Sequence, residues 1–270
     1  MNIGFTVDKF NKFSITSVLK IFQWLGINSF EFTTSLYDEF ENVLPLMENT
    51  HIRLHLPNFG GHGYDFSSKL FTDNINEDIN KIKFLCERFK FSHAVFHPPE
   101  GPDNTVSKEL LWKRLRQIPV PLLLENISSM SSDNFYLFFE EAKKELTTNL
   151  AGTCFDIPHA FVAGVDWKEM FKNLKNSVKE IHLSDCYRTS DQHLPFGMGV
   201  LSLSEIINFL NEHEFKGEIN FEIKPPSVKN VCDLLKTYKT SVKFTRGRLK
   251  ADLRFKIPLL CTASYLMSLF

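Results

Sequence analysis

Short runs rich in β-branched and aromatic residues recur along the chain, each followed by a longer stretch with apolar residues at helical spacing. The runs fall near 3–7, 29–33, 52–57, 93–97, 120–125, 151–156, 180–184 and 218–223. The stretches between them predict helices near 14–25, 38–47, 75–90, 105–116, 132–146, 166–175, 202–213 and 227–240. Local signals agree: Ser14 precedes one apolar-periodic run and Gly26 stops it, while Thr72 and Asp73 lie just before Ile75, Ile79, Ile82 and Leu85, which mark one buried face. Eight strand–helix units imply an α/β fold, and eight is the number that closes a (β/α)8 TIM barrel. The competing topology, an open doubly wound sheet, wants a glycine-rich G-x-G-x-x-G after the first strand, and the chain has none.

The barrel accounts for residues 1–242 as one metal-binding domain and leaves a 28-residue tail, 243–270. The tail's first half is cationic (Lys243, Arg246, Arg248, Lys250, Arg254, Lys256), and 257–270 is apolar but shorter than the roughly 18 residues of a membrane span. An extra helix packed outside the barrel is the plain expectation, and a membrane-surface or partner-binding tail the alternative.

Composition narrows the class. With 43% hydrophobic residues the chain can bury a core, and Lys+Arg 31 against Asp+Glu 32 provides no global basic field for nucleic acid. The five scattered cysteines (Cys86, Cys154, Cys186, Cys232, Cys261) form no C-x-x-C pair and fit a reducing compartment. The first residues show no secretory pattern and no run is long enough to span a bilayer, so a cytoplasmic location is expected.

In a barrel of this type the chemistry sits at the C-terminal strand ends, and there six consecutive strands finish in polar groups: His55, His97, Glu125, Asp156 with His159, His182, and Glu222. Singly each has a plain explanation. A strand-end His is usually structural, Glu125 could have reached solvent, Glu222 could pair with Lys224, and Asp156 could cap a helix. Together they do not, because imidazole and carboxylate are the ligand types for zinc or manganese and all would meet at one mouth. After strand seven, Asp191 and His193 lie two apart on an irregular segment that also holds Gly197 and Gly199, so both can face one ion. Phe59, Tyr64, Phe161 and Phe196 near the mouth could stack on a ring, although core packing is the usual use, and Lys224 and Arg188 are candidate phosphate contacts.

These residues resemble the xylose-isomerase-like barrel superfamily over roughly 1–242, and within it the endonuclease IV (AP endonuclease family 2) branch. The stretch from Phe155 to Asp166 is similar to that family's D-x-x-H-A-F-x-A-G-x-D segment, His182-Leu183-Ser184-Asp185 to its H-L-N-D, and Asp191-Gln192-His193 with Gly197 and Gly199 to its D-R-H…G-x-G. The resemblance implies a set of up to three Zn2+ ions, with Mn2+ or Mg2+ as other divalent choices. His55, His97 and Glu125 would hold the first. Glu125 would bridge to a second, shared with Asp156, His182 and Glu222, and His159, Asp191 and His193 would hold the third. Departures concern substrate. Thr33-Thr34-Ser35-Leu36-Tyr37 lacks the Arg/Gln-rich segment of the DNA enzymes, and His55-Leu56-Pro57-Asn58 replaces H-D-S-Y with its intercalating Tyr. Abasic DNA is therefore less expected than a phosphorylated or sugar-containing small molecule. The expected activity is a metal-dependent phosphoesterase in which Glu125 positions the nucleophile and Glu222 acts as ligand or proton acceptor. The alternative is a divalent-metal sugar or sugar-phosphate isomerase/epimerase built on Glu125, Asp156, His182 and Glu222. A degenerate, ligand-binding barrel would show broken ligand positions, and none is broken.

Overall fold

The computed structural model describes residues 2–9 and 13–224, and helical positions 233, 235, 237, 238 and 241. Ten strands are assigned among the described residues: β1 (Asn2–Val7), β2 (Ser29–Phe32), β3 (His51–His55), β4 (Phe91–Phe96), β5 (Leu122–Glu125), β6 (Leu150–Asp156), β7 (Val178–Leu183), β8 (Asp185–Tyr187), β9 (Ser190–Leu194) and β10 (Glu218–Phe221). Eight of them close a barrel in the order β1-β10-β7-β6-β5-β4-β3-β2, every pair parallel. These are the eight expected strands, with ends shifted by a few residues. The TIM barrel is therefore the fold.

Alternation along the strands separates two environments. Phe5, Val7, Phe30, Phe32, Leu54, Phe96, Leu122, Leu124, Phe155, Ile181, Leu183 and Phe221 join the main apolar core between sheet and helices. The opposite alternates face the axis, where Val95, Leu123 and Cys154 form a separate small apolar cluster and most of the rest is polar. Contacts across the axis show this directly: Arg53 of β3 reaches Glu180 of β7, Glu218 and Asn220 of β10, and His93 of β4 pairs with Glu180. Gly4 on β1 makes room for this layer, since a Cβ there would lie 2.2 Å from the Arg53 guanidinium.

The helices follow the apolar spacing. Ser14 caps Ile15–Trp24 by accepting from the Ser17 N–H, and Gly26 takes a left-handed φ of 75° just beyond its end. Thr72–Arg88 starts slightly earlier than expected and buries Ile75, Ile79, Ile82 and Leu85, each contributing roughly 1.5–3 kcal/mol on burial. The helix expected at 38–47 is broken into short 3-10 and α turns (Thr34–Glu39, Phe40–Val43, Leu44–Leu46), with Pro45 opening the last. Of the segment expected as a helix at 227–240, the described positions are helical, with Leu235 and Tyr238 buried and Tyr238 edge-on to Phe22. The tail 243–270 lies outside the described residues. No helix among the described residues is long and apolar enough to cross a membrane.

One loop differs from expectation. The segment holding Asp191 and His193 is ordered as an antiparallel hairpin, β8 against β9, rather than an irregular turn. Asp185 anchors the glycine-bearing turn beyond the hairpin: its carboxylate accepts from the N–H groups of Gly197 (2.9 Å), Gly199 (2.8 Å) and Leu201 (2.9 Å). Gly199 is required by this approach, because a Cβ there would stand 2.4 Å from the Asp185 Oδ1.

Candidate metal centre

The strand-end residues and the β8–β9 hairpin converge over the C-terminal mouth of the barrel. The cavity there is about 540 Å³ and is lined by His55, His97, His159, Asp191, His193 and Glu222 among others. Glu125, Asp156 and His182 are buried in contact with these lining residues. All nine residues singled out in the sequence are thus brought to one site.

Their spacing has a pattern. Glu125 Oε2 lies 3.2 Å from His55 Nε2 and 3.2 Å from His97 Nε2. Its other oxygen, Oε1, is 3.3 Å from His182 Nδ1, which is itself 3.3 Å from Glu222 Oε2. Asp191 Oδ2 is 3.2 Å from both His159 Nε2 and His193 Nε2. Metal–nitrogen and metal–oxygen bonds of about 2.0–2.1 Å put tetrahedral ligand atoms roughly 3.3 Å apart. The pairwise separations match that edge, and His55, Glu125, His182 and Glu222 have ligand atoms that all lie within 4.8 Å of one another. Asp156 caps the helix Ile157–Val162 through the His159 N–H and sits beside Glu125 and His159, so the capping role and the site role coincide.

The histidine tautomers point the same way. His55 Nδ1–H donates to Leu56 O at 2.8 Å and His159 Nδ1–H to Asn126 O at 2.8 Å. His97 Nδ1 is held by Glu100 Oε1, and His182 Nε2 lies 3.1 Å from Glu31 Oε2. In each of these four rings one nitrogen is committed outward, which leaves the other turned to the cavity, where an ion would take the place of its proton. The His159 Nδ1 contacts to Glu125 (3.4 Å) and Asp156 (3.6 Å) are therefore not ligand contacts, because that nitrogen already serves Asn126. Three buried atoms at the centre, Glu125 Oε1, His182 Nδ1 and His193 Nδ1, make no hydrogen bond. Glu125 Oε1 and His182 Nδ1, 3.3 Å apart and both without a hydrogen bond, suit a cation between them. The donor set fits divalent metal.

The imidazoles carry the charge that offsets the mouth carboxylates. Burial would raise the Glu125 carboxyl, but the His182 and His97 imidazoles hold it well below the usual carboxylate range. Burial would lower His97, yet Glu125 and Glu100 keep it up at about 10. Asp156 is pushed up to about 8, by burial first, with His159 opposing and Glu125 and Asp191 adding. Burial lowers His193. Five carboxylates (Glu100, Glu125, Asp156, Asp191 and Glu222) share this mouth without a buried Lys or Arg among its described residues.

Sequence reasoning missed the outer partners Glu31, Glu100 and Asn126. Glu31 had a signal, a lone acid in the apolar run Phe30-Glu31-Phe32, whereas Glu100 and Asn126 had none beyond adjacency to His97 and Glu125. The pairing of Glu222 with Lys224 is not formed; Glu222 faces His182 and His193 instead. Of the aromatic candidates, Phe196 packs edge-on to Phe221, and Phe161 lies under Arg188. Phe59 and Tyr64 line a separate depression of about 220 Å³.

Comparison with known proteins agrees with the fold. The chain is 29% identical over 99 residues to an uncharacterized protein of Methanocaldococcus jannaschii, a match spanning 36% of this chain and about a third (32%) of that relative's length. A solved D-tagatose 3-epimerase-like protein superposes with a TM-score of 0.66 at 18% identity, covering 91% of this chain and 97% of its own. An AP endonuclease family 2 protein from Brucella melitensis gives 0.61 at 11%, covering 89% and 99%. Further matching structures are also of sugar epimerases, and at such identities the likeness shows the fold alone. The AP endonuclease family 2 model, described as xylose isomerase-like TIM barrel, matches residues 21–248, and the chain belongs to that family.

Proposed function

We propose that the protein is a divalent-metal-dependent enzyme whose nine mouth residues hold up to three zinc-type ions, and that it hydrolyses a phosphoester in a small molecule. The observation that carries this reading is Asp191 Oδ2, 3.2 Å from each of His159 and His193, two contacts outside the group His55, Glu125, His182 and Glu222 that one ion would use. His55, His97 and Glu125 would hold one ion, Glu125, Asp156, His182 and Glu222 a second, and His159, Asp191 and His193 the third. Bound there, such ions supply a more acidic water and neutralise charge on phosphoryl oxygens. The chain's own residues do the rest. Glu125, fully buried and shared between two sets, fixes their spacing, while Glu222, at the cavity wall, orients the attacking water and accepts its proton.

A sugar or sugar-phosphate isomerase/epimerase is the second reading. It is favoured by the tight group His55, Glu125, His182 and Glu222, which can serve a single ion, and by the sugar epimerases among the similar structures. In that reading Glu125 and Glu222 move the proton next to a carbonyl. Elemental analysis of undialysed protein, wild type against His193→Ala, separates the two. About three ions per chain, falling by one in the variant, is expected for the hydrolase. One ion unaffected by the substitution would turn the assignment to isomerisation.

A further inference from the structure

The geometry points to Lys224 as the anchor for a phosphate group of the substrate, held at the seam between the metal cavity and an adjoining polar lobe. This inference rests on the metal-enzyme reading above and adds the chemical class of the substrate, a phosphorylated sugar or sugar phosphodiester.

Lys224 leaves β10 two residues after Glu222, and its backbone N–H donates to His193 O at 2.8 Å, so the root of the side chain is tied to β9. It lines both the cavity over the metal ligands and a neighbouring lobe of about 400 Å³. That lobe also touches His55 and Glu222 and carries the hydroxyls of Thr6, Thr33 and Ser35, the amide of Asn58 and the carboxylate of Asp8, which accepts from the Ser35 hydroxyl at 2.9 Å. The carboxylates lining the main cavity are already engaged: Glu222 with His182, Asp191 with His159 and His193, Glu100 with His97. Lys224 makes no ion pair among the described residues.

Two other cations near the mouth are differently placed. Lys9, in the adjoining lobe, is tied to Asp38 at 3.1 Å. Arg188 lies 4.9 Å from the centroid of the Phe161 ring and does not line either space. An ammonium without a counter-ion, beside a set of divalent-metal ligands, suits an oxyanion that can touch both. The hydroxyl-lined lobe suits a polyhydroxy body attached to that anion, since each buried sugar hydroxyl needs a partner.

The test is calorimetric binding of inorganic phosphate to the metal-loaded protein, with metal content read in the same samples. Wild type is expected to bind phosphate, Lys224→Gln about tenfold more weakly, and Lys224→Arg within about threefold of wild type, because a charge-assisted contact is lost in the first and kept in the second. Equal affinities for wild type and Lys224→Gln, or no phosphate binding by metal-loaded wild type, would overturn the Lys224 subsite. Absence of retained metal in wild type would count against the metal centre instead, so the two failures are distinguishable.

Discussion

The upper and lower halves of the barrel interior are built from the same residue types and reach opposite outcomes. Below, His93, Glu180 and Glu218 come close enough to resemble a metal site, yet Arg53 supplies the cation: its Nε is 3.1 Å from Glu180 and its Nη1 2.5 Å from Glu218. His93 and His51 complete the pairing, at 2.5 Å to Glu180 and 2.6 Å to Glu218. Above, the side chains paired with Glu125, Asp156, Asp191 and Glu222 are imidazoles, and none of the four forms an ion pair with Lys or Arg among the described residues. A cluster of His and Glu is therefore a metal candidate when only imidazoles offset its charge, and a structural network when an Arg does so. Glu31 stands at the border, accepting from Thr6 and Asn220 of the lower layer at 2.9 Å each while holding His182 of the upper one.

The largest effect should come from removing the lower cation. Arg53→Met leaves Glu180 and Glu218 without their guanidinium, and a loss of about 3–5 kcal/mol is expected in denaturant unfolding, since breaking a buried pair strands a charge. An unfolding free energy within about 1 kcal/mol of wild type would erase the distinction between the two halves.

Acid should act on the same layer. Burial would raise the Glu180 carboxyl, but Arg53 and His93 bring it from 4.5 down to about 2. A folded-state value below the unfolded one stabilises the protein above pH 4.5, and that contribution is lost as the pH falls toward 2. The shift corresponds to about 3 kcal/mol, so unfolding free energy measured across this window should fall more steeply in wild type than in Glu180→Gln. Parallel pH profiles would remove Glu180 from the lower network's energetics.

The smallest of the three effects concerns the border. Glu31→Gln keeps the shape but weakens the acceptor on His182 Nε2, and zinc affinity measured by chelator competition should drop about 10- to 100-fold. The same substitution should alter stability of the metal-free protein far less than Arg53→Met does. An unchanged affinity would mean that backbone geometry alone aims His182.

Much of the fold and of the mouth is legible in the chain itself. The eight strands, the helix faces and the nine mouth residues follow from local chemistry, because a parallel strand alternates faces and its last residues must emerge at one end of the barrel. The metal-ligand role of those nine residues is a proposal, and metal counting tests it. The outer partners are a different matter. Glu31 and His182 are 151 residues apart, and Arg53 and Glu218 165, so no spacing along the chain could link them. For the same reason the sequence offers Lys224 and Arg188 as equals, and only the packing of Arg188 on Phe161 separates them. The chain by itself determined which side chains stand at the strand ends, through periodicity of the backbone. Tertiary structure decided which of the buried acids meet a guanidinium and which meet imidazoles, because closing the barrel brings distant strands across one axis.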